Sequence, residues 1–183
     1  MSSRYKVHHD YVPHFITCTV VSWIDALSRE HYKEIVVESL NYCISKKGLQ
    51  LHAWVIMSNH LHMILSASEG SRISNIVRDF KKFTSRKITD AITTNIQESR
   101  RAWMLGMFGY AGMNNKSNDQ YQFWQQDYHP IALDRKDMFE QRMGYLHDNP
   151  VRAGLVWEAA HYKYSSAGDY YENRMGLLPL IKL

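Results

Sequence analysis

LQLHAWVIM-SN-HLHMILSA, residues 49–67, holds two strand-like apolar runs, 49–57 and 60–67, parted only by Ser58 and Asn59. Runs of that length around so short a break fold back on each other as an antiparallel hairpin. Side chains alternate across a strand, so His60 and His62 project from one face and Leu61 from the other. The rest of the chain arranges itself around this hairpin.

Upstream, HFITCTVV (14–21) is β-branched and aromatic, follows Pro13, and reads as a first strand. Ser28 opens a helix over 29–47, in which Tyr32, Ile35, Val36, Leu40 and Ile44 recur at helical spacing and Gly48 stands at the C-terminal cap. Downstream of Gly70, the positions Ile73, Ile76, Val77, Phe80, Phe83, Ile88 and Ile92 trace a long amphipathic helix. Residues 97–120 read as an insertion, a short apolar helical piece followed by an Asn-, Ser- and Gly-rich tail that ends in a mobile loop. Residues 121–124 resume an aromatic strand. A helix then begins at Asp134, with Asp137 three residues on as a carboxylate capping box, and carries Tyr145. The order β-α-β-β-α-β plus a helix predicts an α+β, ferredoxin-like (RRM-like) antiparallel sheet with helices on one face and an added C-terminal helix carrying the tyrosine. The expectation is a single domain spanning 1–183.

Hydrophobic residues make up 45% of the chain and charged residues 22%, which excludes wholesale disorder and fibrous repeats. No apolar run approaches the roughly 20 residues that cross a bilayer. The N-terminus has no apolar core ahead of a cleavage site, so a cytoplasmic, nucleoid-associated bacterial protein with no membrane partner is expected. Cys18 and Cys43 sit in apolar stretches and read as reduced, buried thiols. The net charge of +4 permits nucleic-acid binding without requiring it. Its distribution says more: Arg72, Arg78, Lys81, Lys82, Arg86 and Lys87 face a single acid, Asp79, across the second helix. That excess could neutralise phosphates, and a solvated helix face would look similar.

Two neutral imidazoles one strand repeat apart can chelate a divalent cation. Among ten histidines such a pair also arises by chance, so a packing role for His60 and His62 is the alternative. On the helix at 135–148, Phe139, Met143 and Leu146 form the core stripe, and Tyr145 lies well round from it. Asn149, four residues on, shares nearly the same face, so a phenol and an amide could line one pocket. Pro150 makes Asn149 a helix terminus by the steric rule for residues before proline, and a capping role is its alternative.

Four segments resemble the REP-associated tyrosine transposases, members of the single-tyrosine HUH transposases of small bacterial insertion sequences. They are MSNHLHMIL (57–65), FWQQ (123–126) with His129-Pro130, YLHDNPVRAGLV (145–156) and YSSA (164–167). The resemblance runs from about Phe15 to Tyr170. It implies that His60, His62 and the polar residue one turn beyond the tyrosine, Asn149, bind Mg2+ or Mn2+. Tyr145 is then the nucleophile that forms a 5′-phosphotyrosine. The substrate implied is single-stranded or hairpin DNA such as palindromic repeats. The stretch 97–120 is longer than in many relatives. Relatives work as dimers in some branches and monomers in others, which leaves a homodimer open.

A phenol ionises only near pH ~10, so such a nucleophile needs a metal or a cation beside it, and Arg142 and Arg152 are the candidates. Arg78, Lys81, Lys82, Arg86 and Arg152, with Trp124, Tyr121 and Tyr128 as stacking surfaces, are the candidate DNA contacts, assisted by Arg4-Tyr5-Lys6. The plainer reading of each aromatic is a place in the core or its rim. One rival is a non-catalytic nucleic-acid-binding module on the same fold; another is a metal-dependent hydrolase that uses water.

Overall fold

Residues 9–113 and 120–183 are described in the computed structural model; Arg4-Tyr5-Lys6 and the insertion's tail, expected as a mobile loop, lie at least partly outside them. The hairpin forms as its spacing predicts: β2 (Leu49–Ile56) pairs antiparallel with β3 (His60–Ala67). The Met57 N–H donates to the His60 carbonyl at 2.8 Å and closes the turn. On its other side β3 pairs antiparallel with β1 (His14–Thr19), setting Thr17 opposite His62 and Thr19 opposite His60. With β4 (Ile131–Ala132) beyond β1, the four-stranded sheet runs β2-β3-β1-β4.

Helices α1 (Glu30–Lys46) and α2 (Ile73–Thr94) cover one face. Leu40 and Cys43 of α1 and Ile76, Val77 and Phe80 of α2 meet Leu49, Met63 and Leu65 of the sheet there. These apolar side chains are buried, so the helices are held by the stripes that predicted them. Phe83 departs from its stripe: it is 52% exposed, with the Lys87 ammonium 5.8 Å from its ring centroid. Gly48 takes a φ of +74° after α1, the left-handed cap its position suggests. Ser28 does not cap α1. It lies in a 3-10 turn (Ala26–Ser28), its hydroxyl takes a 3.1 Å hydrogen bond from Arg100, and Arg29 is the residue before the helix.

The opposite face receives α4 (Lys136–Arg152), so the helices lie on both faces, with the added one on the face of the histidines. Phe139 of α4 meets His52 edge to face at 6.3 Å, and Leu146 and Pro150 are buried. Two expectations for α4 fail. Asp137 pairs with the Arg135 guanidinium instead of closing a capping box, and the helix starts at Lys136. Pro150 does not end it. The proline lacks the N–H that would meet the Leu146 carbonyl, yet the helix runs two residues further to Arg152, and the stop is set by Gly154 at φ +69°. Asn149 is therefore inside the helix.

The fourth strand is also displaced from its expected place. Residues 121–124 form only an isolated bridge, Val20 with Trp124. They run beside β1 irregularly, with Val21 N–H on the Phe123 carbonyl at 2.8 Å and Gln125 N–H on the Thr19 carbonyl at 2.8 Å. His129 at φ +40° and Pro130, which has no N–H, interrupt the ladder before β4 resumes it. The helical piece of the insertion is α3 (Arg101–Met113), anchored by buried Met104 and Phe108, whose ring lies 5.1 Å from that of Phe123. A final helix, α5 (Ala167–Tyr171), follows.

Candidate active site

The period of β3 delivers His60 and His62 to the α4 face, their ring centroids 4.7 Å apart. Each ring is turned by a partner on Nδ1. His60 Nδ1 donates to Asn59 Oδ1 at 2.7 Å, and His62 Nδ1 lies 2.8 Å from Thr17 Oγ1, on the strand opposite. With Nδ1 anchored, Nε2 is the nitrogen each ring turns away from its anchor, the arrangement in which a neighbour orients a metal-binding imidazole. Burial pushes the His62 imidazole down to about 3, with His60 and the Arg142 guanidinium adding to the effect. Burial lowers His60 too, opposed by a hydrogen bond with the Asn149 side chain. Both rings are consequently neutral near pH 7, the form that binds metals.

Tyr145 reaches the same place from α4. Its ring is 5.6 Å from that of His62 and 6.2 Å from Phe15, which itself stacks on His62 at 5.1 Å. Tyr145 is 39% exposed, so its phenol is open to a ligand from solvent. The Arg152 guanidinium stands 5.6 Å from its ring centroid, and that of Arg142 stands 5.3 Å from Phe15. His60, His62 and Tyr145 thus meet within one chain. Asn149 joins them: its amide N–H donates to the Tyr145 carbonyl at 2.8 Å, and the same side chain contacts His60.

Among the described residues no group of three His, Cys, Asp or Glu is placed to hold a metal ion. The donors here are two neutral imidazoles and a carboxamide. Such a set fits a divalent ion that keeps open positions for phosphate oxygens.

The basic face of α2 is elsewhere. Arg78, Lys82 and Arg86 line a groove of about 790 Å3 between α2 and residues 120–128, on the α2 side of the sheet. Arg78 is tied to Asp79 at 2.9 Å and Arg86 lies 3.9 Å from Asp90, both exposed pairs that contribute little to stability. Lys81 and Trp124 line the same groove and are engaged within the chain. The Lys81 ammonium donates to the carbonyls of Gln125 and Gln126 at 2.5 and 2.8 Å, bracing that segment. Trp124 is 4% exposed, with its indole N–H on Thr84 Oγ1 at 2.8 Å, and offers no stacking face. Of the candidate DNA cations, only Arg152 stands beside Tyr145.

The structure also brings in residues that spacing did not indicate. His147 leaves the far side of α4, fully buried, with Nε2 2.8 Å from Ser166 Oγ and Nδ1 3.1 Å from the Tyr171 hydroxyl. Ser166 Oγ in turn accepts from the Trp54 N–H at 2.9 Å, so β2 grips α4 through two side chains. Burial pushes His147 down to about 4, keeping it neutral. Both residues fall in the segments 145–156 and 164–167, and their presence there together was the available signal. Asn59 and Thr17, which aim the histidines, carried none.

The family model for IS200-like transposases matches residues 7–109, more than half of the chain, and ends before Tyr145. No curated protein sequence matches. Among solved structures, a REP-associated tyrosine transposase bound to a REP hairpin is 16% identical with a TM-score of 0.67; the match covers 100% of this chain and 93% of that one. A putative transposase from Deinococcus radiodurans R1 is 15% identical with a TM-score of 0.44, covering 81% of this chain and 96% of that one. The first of these likenesses shows a shared fold. Among the described residues no helix is long and apolar enough to cross a membrane.

Proposed function

The chain belongs to the IS200-like transposase family, and from that premise we propose that it cuts and rejoins single-stranded DNA through a covalent 5′-phosphotyrosine on Tyr145. The observation that carries this reading is the meeting of Tyr145 with His62, ring centroids 5.6 Å apart, from elements far apart in the chain. The Tyr145 oxygen attacks phosphorus in line, the bond to the 3′-oxygen breaks, and a 3′-hydroxyl leaves. The phenolic proton passes to solvent, to which the side chain is open. A 3′-hydroxyl then attacks the phosphotyrosine, the phenol departs, and a phosphodiester is restored with no outside energy source. A divalent ion, Mg2+ or Mn2+, held by His60, His62 and Asn149, would polarise the scissile phosphate and offset its charge.

The chain's own groups supply positioning. Asn59 and Thr17 hold the imidazoles, Phe15 walls the site, and Arg152 and Arg142 place cationic charge where a phosphate would enter. The solved relative is bound to a REP hairpin, and a hairpin with a flanking single strand is the substrate proposed here. Arg78, Lys82 and Arg86 in the α2 groove are the proposed phosphate contacts away from the site. The test is incubation of the full chain with labelled hairpin DNA and Mn2+, followed by denaturing electrophoresis. The expected result is a covalent protein–DNA adduct that disappears in Tyr145→Phe. Binding with no adduct on any substrate would favour a non-catalytic module.

A further inference from the structure

Beside His60 the backbone does something costly. Ser22 and Trp23 are consecutive residues with left-handed φ of 54° and 57°, a conformation uncommon outside glycine. The turn they form does not bury the tryptophan: Trp23 is 61% exposed, while Val21 and Ile24 on either side are buried. A large apolar ring held outward by an unfavourable backbone gains nothing from the core, and such strain collects at binding and catalytic sites.

The turn is also rigidly held. Val20 N–H donates to the Asn59 carbonyl at 2.9 Å, Leu27 N–H to the Ser58 carbonyl at 2.8 Å, and Val21 N–H to the Phe123 carbonyl at 2.8 Å. Asn59 makes the decisive link: its Nδ2 donates to the Trp23 carbonyl at 3.3 Å while its Oδ1 accepts from His60 Nδ1. One amide therefore sets both the imidazole and the tryptophan, and the two rings meet edge to face at 6.3 Å. Exposure alone would not single out this residue, since Trp157 is 97% exposed.

We propose that Trp23 is a stacking platform for an unpaired nucleobase of the DNA strand, next to the phosphate held at His60 and His62. The proposal rests on the transposase reading and adds a base-binding subsite to it. Stacking on an aromatic ring tolerates any base, so Trp23 contributes affinity and fixes the path of the single strand at the site without reading its sequence.

The test is a binding cycle without metal, so that nothing is cut. The probe is a DNA hairpin with a single-stranded oligothymidine extension, compared with one whose extension keeps its phosphates but lacks its bases. Loss of the bases should weaken wild-type binding about tenfold, and Trp23→Ala should weaken binding to the intact probe by a similar factor. Trp23→Ala should then barely distinguish the two probes, and Trp23→Phe should recover most of the affinity. Because the ring is exposed, the variants should unfold at the wild-type temperature. Equal losses on base removal in wild type and Trp23→Ala would overturn the assignment, as would a Trp23→Ala chain that binds like wild type. Trp23-dependent binding with no Tyr145 adduct in Mn2+ would sink the transposase chemistry and leave the platform standing. A wild-type chain that binds neither probe would defeat both.

Discussion

The β2–β3 hairpin and α4 each bring half of the site, and they are held in different ways. The histidines are set by a backbone ladder: once β3 pairs with β1 at Thr17 opposite His62, the pleat decides where both imidazoles point. Tyr145 is set by docking. Its position depends on how α4 sits on the sheet, which rests on Leu146, Pro150 and the chain of contacts from His147 through Ser166 to Trp54. A ladder is specified locally and resists single changes, whereas a docked helix can rotate when one contact goes. Damage on the hairpin side should therefore remove the proposed chemistry with little movement, and damage on the α4 side should misplace the proposed nucleophile while leaving it intact.

The largest effect belongs to the hairpin. His62→Ala should lower the rate of adduct formation by about a thousandfold or more, with far-UV circular dichroism unchanged. A variant of normal rate would mean that the imidazole is only packing. Next comes α4: His147→Ala removes the imidazole bonded to Ser166 and Tyr171 and opens a cavity, costing about 2–4 kcal/mol in thermal or urea unfolding. Misplacement of Tyr145 should slow cleavage about a hundredfold while Mn2+ binding persists. His147→Gln, which can still bond to Ser166, should restore part of both; an equal loss of Mn2+ binding would erase the contrast between the two regions.

Asn149 joins the halves, and Asn149→Ala should raise the Mn2+ concentration needed for half-maximal cleavage about tenfold, with Asn149→Asp less affected. An unchanged metal requirement would reduce Asn149 to a helix residue. The smallest effect is on stability against pH. His62 and His147 are held down to about 3 and about 4 in the folded chain but titrate near 6.5 when unfolded. Below that pH the unfolded state binds more protons, so stability is full above about 6.5 and falls as pH drops through the range down to the folded values. The melting temperature should drop by about 5 °C between pH 7 and pH 5, and His147→Ala should flatten the slope. A melting temperature that rises on acidification would contradict the burial of these rings.

The same contrast explains what could be read before the fold was known. Period-two and period-3.6 patterns are local, so β1, the hairpin, α1 and α2 were legible, and His60 and His62 came with the hairpin. The fourth strand was not, because two residues after His129-Pro130 make no pattern, and the aromatic run before them pairs irregularly with the edge of β1. Trp124 looked like a platform because burial depends on α2 closing over it. Pro150 looked like a terminus because the steric rule is statistical and the actual stop, Gly154, lies four residues on. Trp23 gave no signal at all: its left-handed backbone is imposed by the hairpin turn it leans on.

The central claim is that Tyr145 itself carries the DNA. Peptide mapping by mass spectrometry of the adduct formed with hairpin DNA and Mn2+ tests it most directly. The account predicts a nucleotide joined through its 5′-phosphate to the peptide containing Tyr145, with a free 3′-hydroxyl on the released strand. An adduct on another residue, a 3′-phosphate linkage, or an adduct that survives in Tyr145→Phe would contradict it.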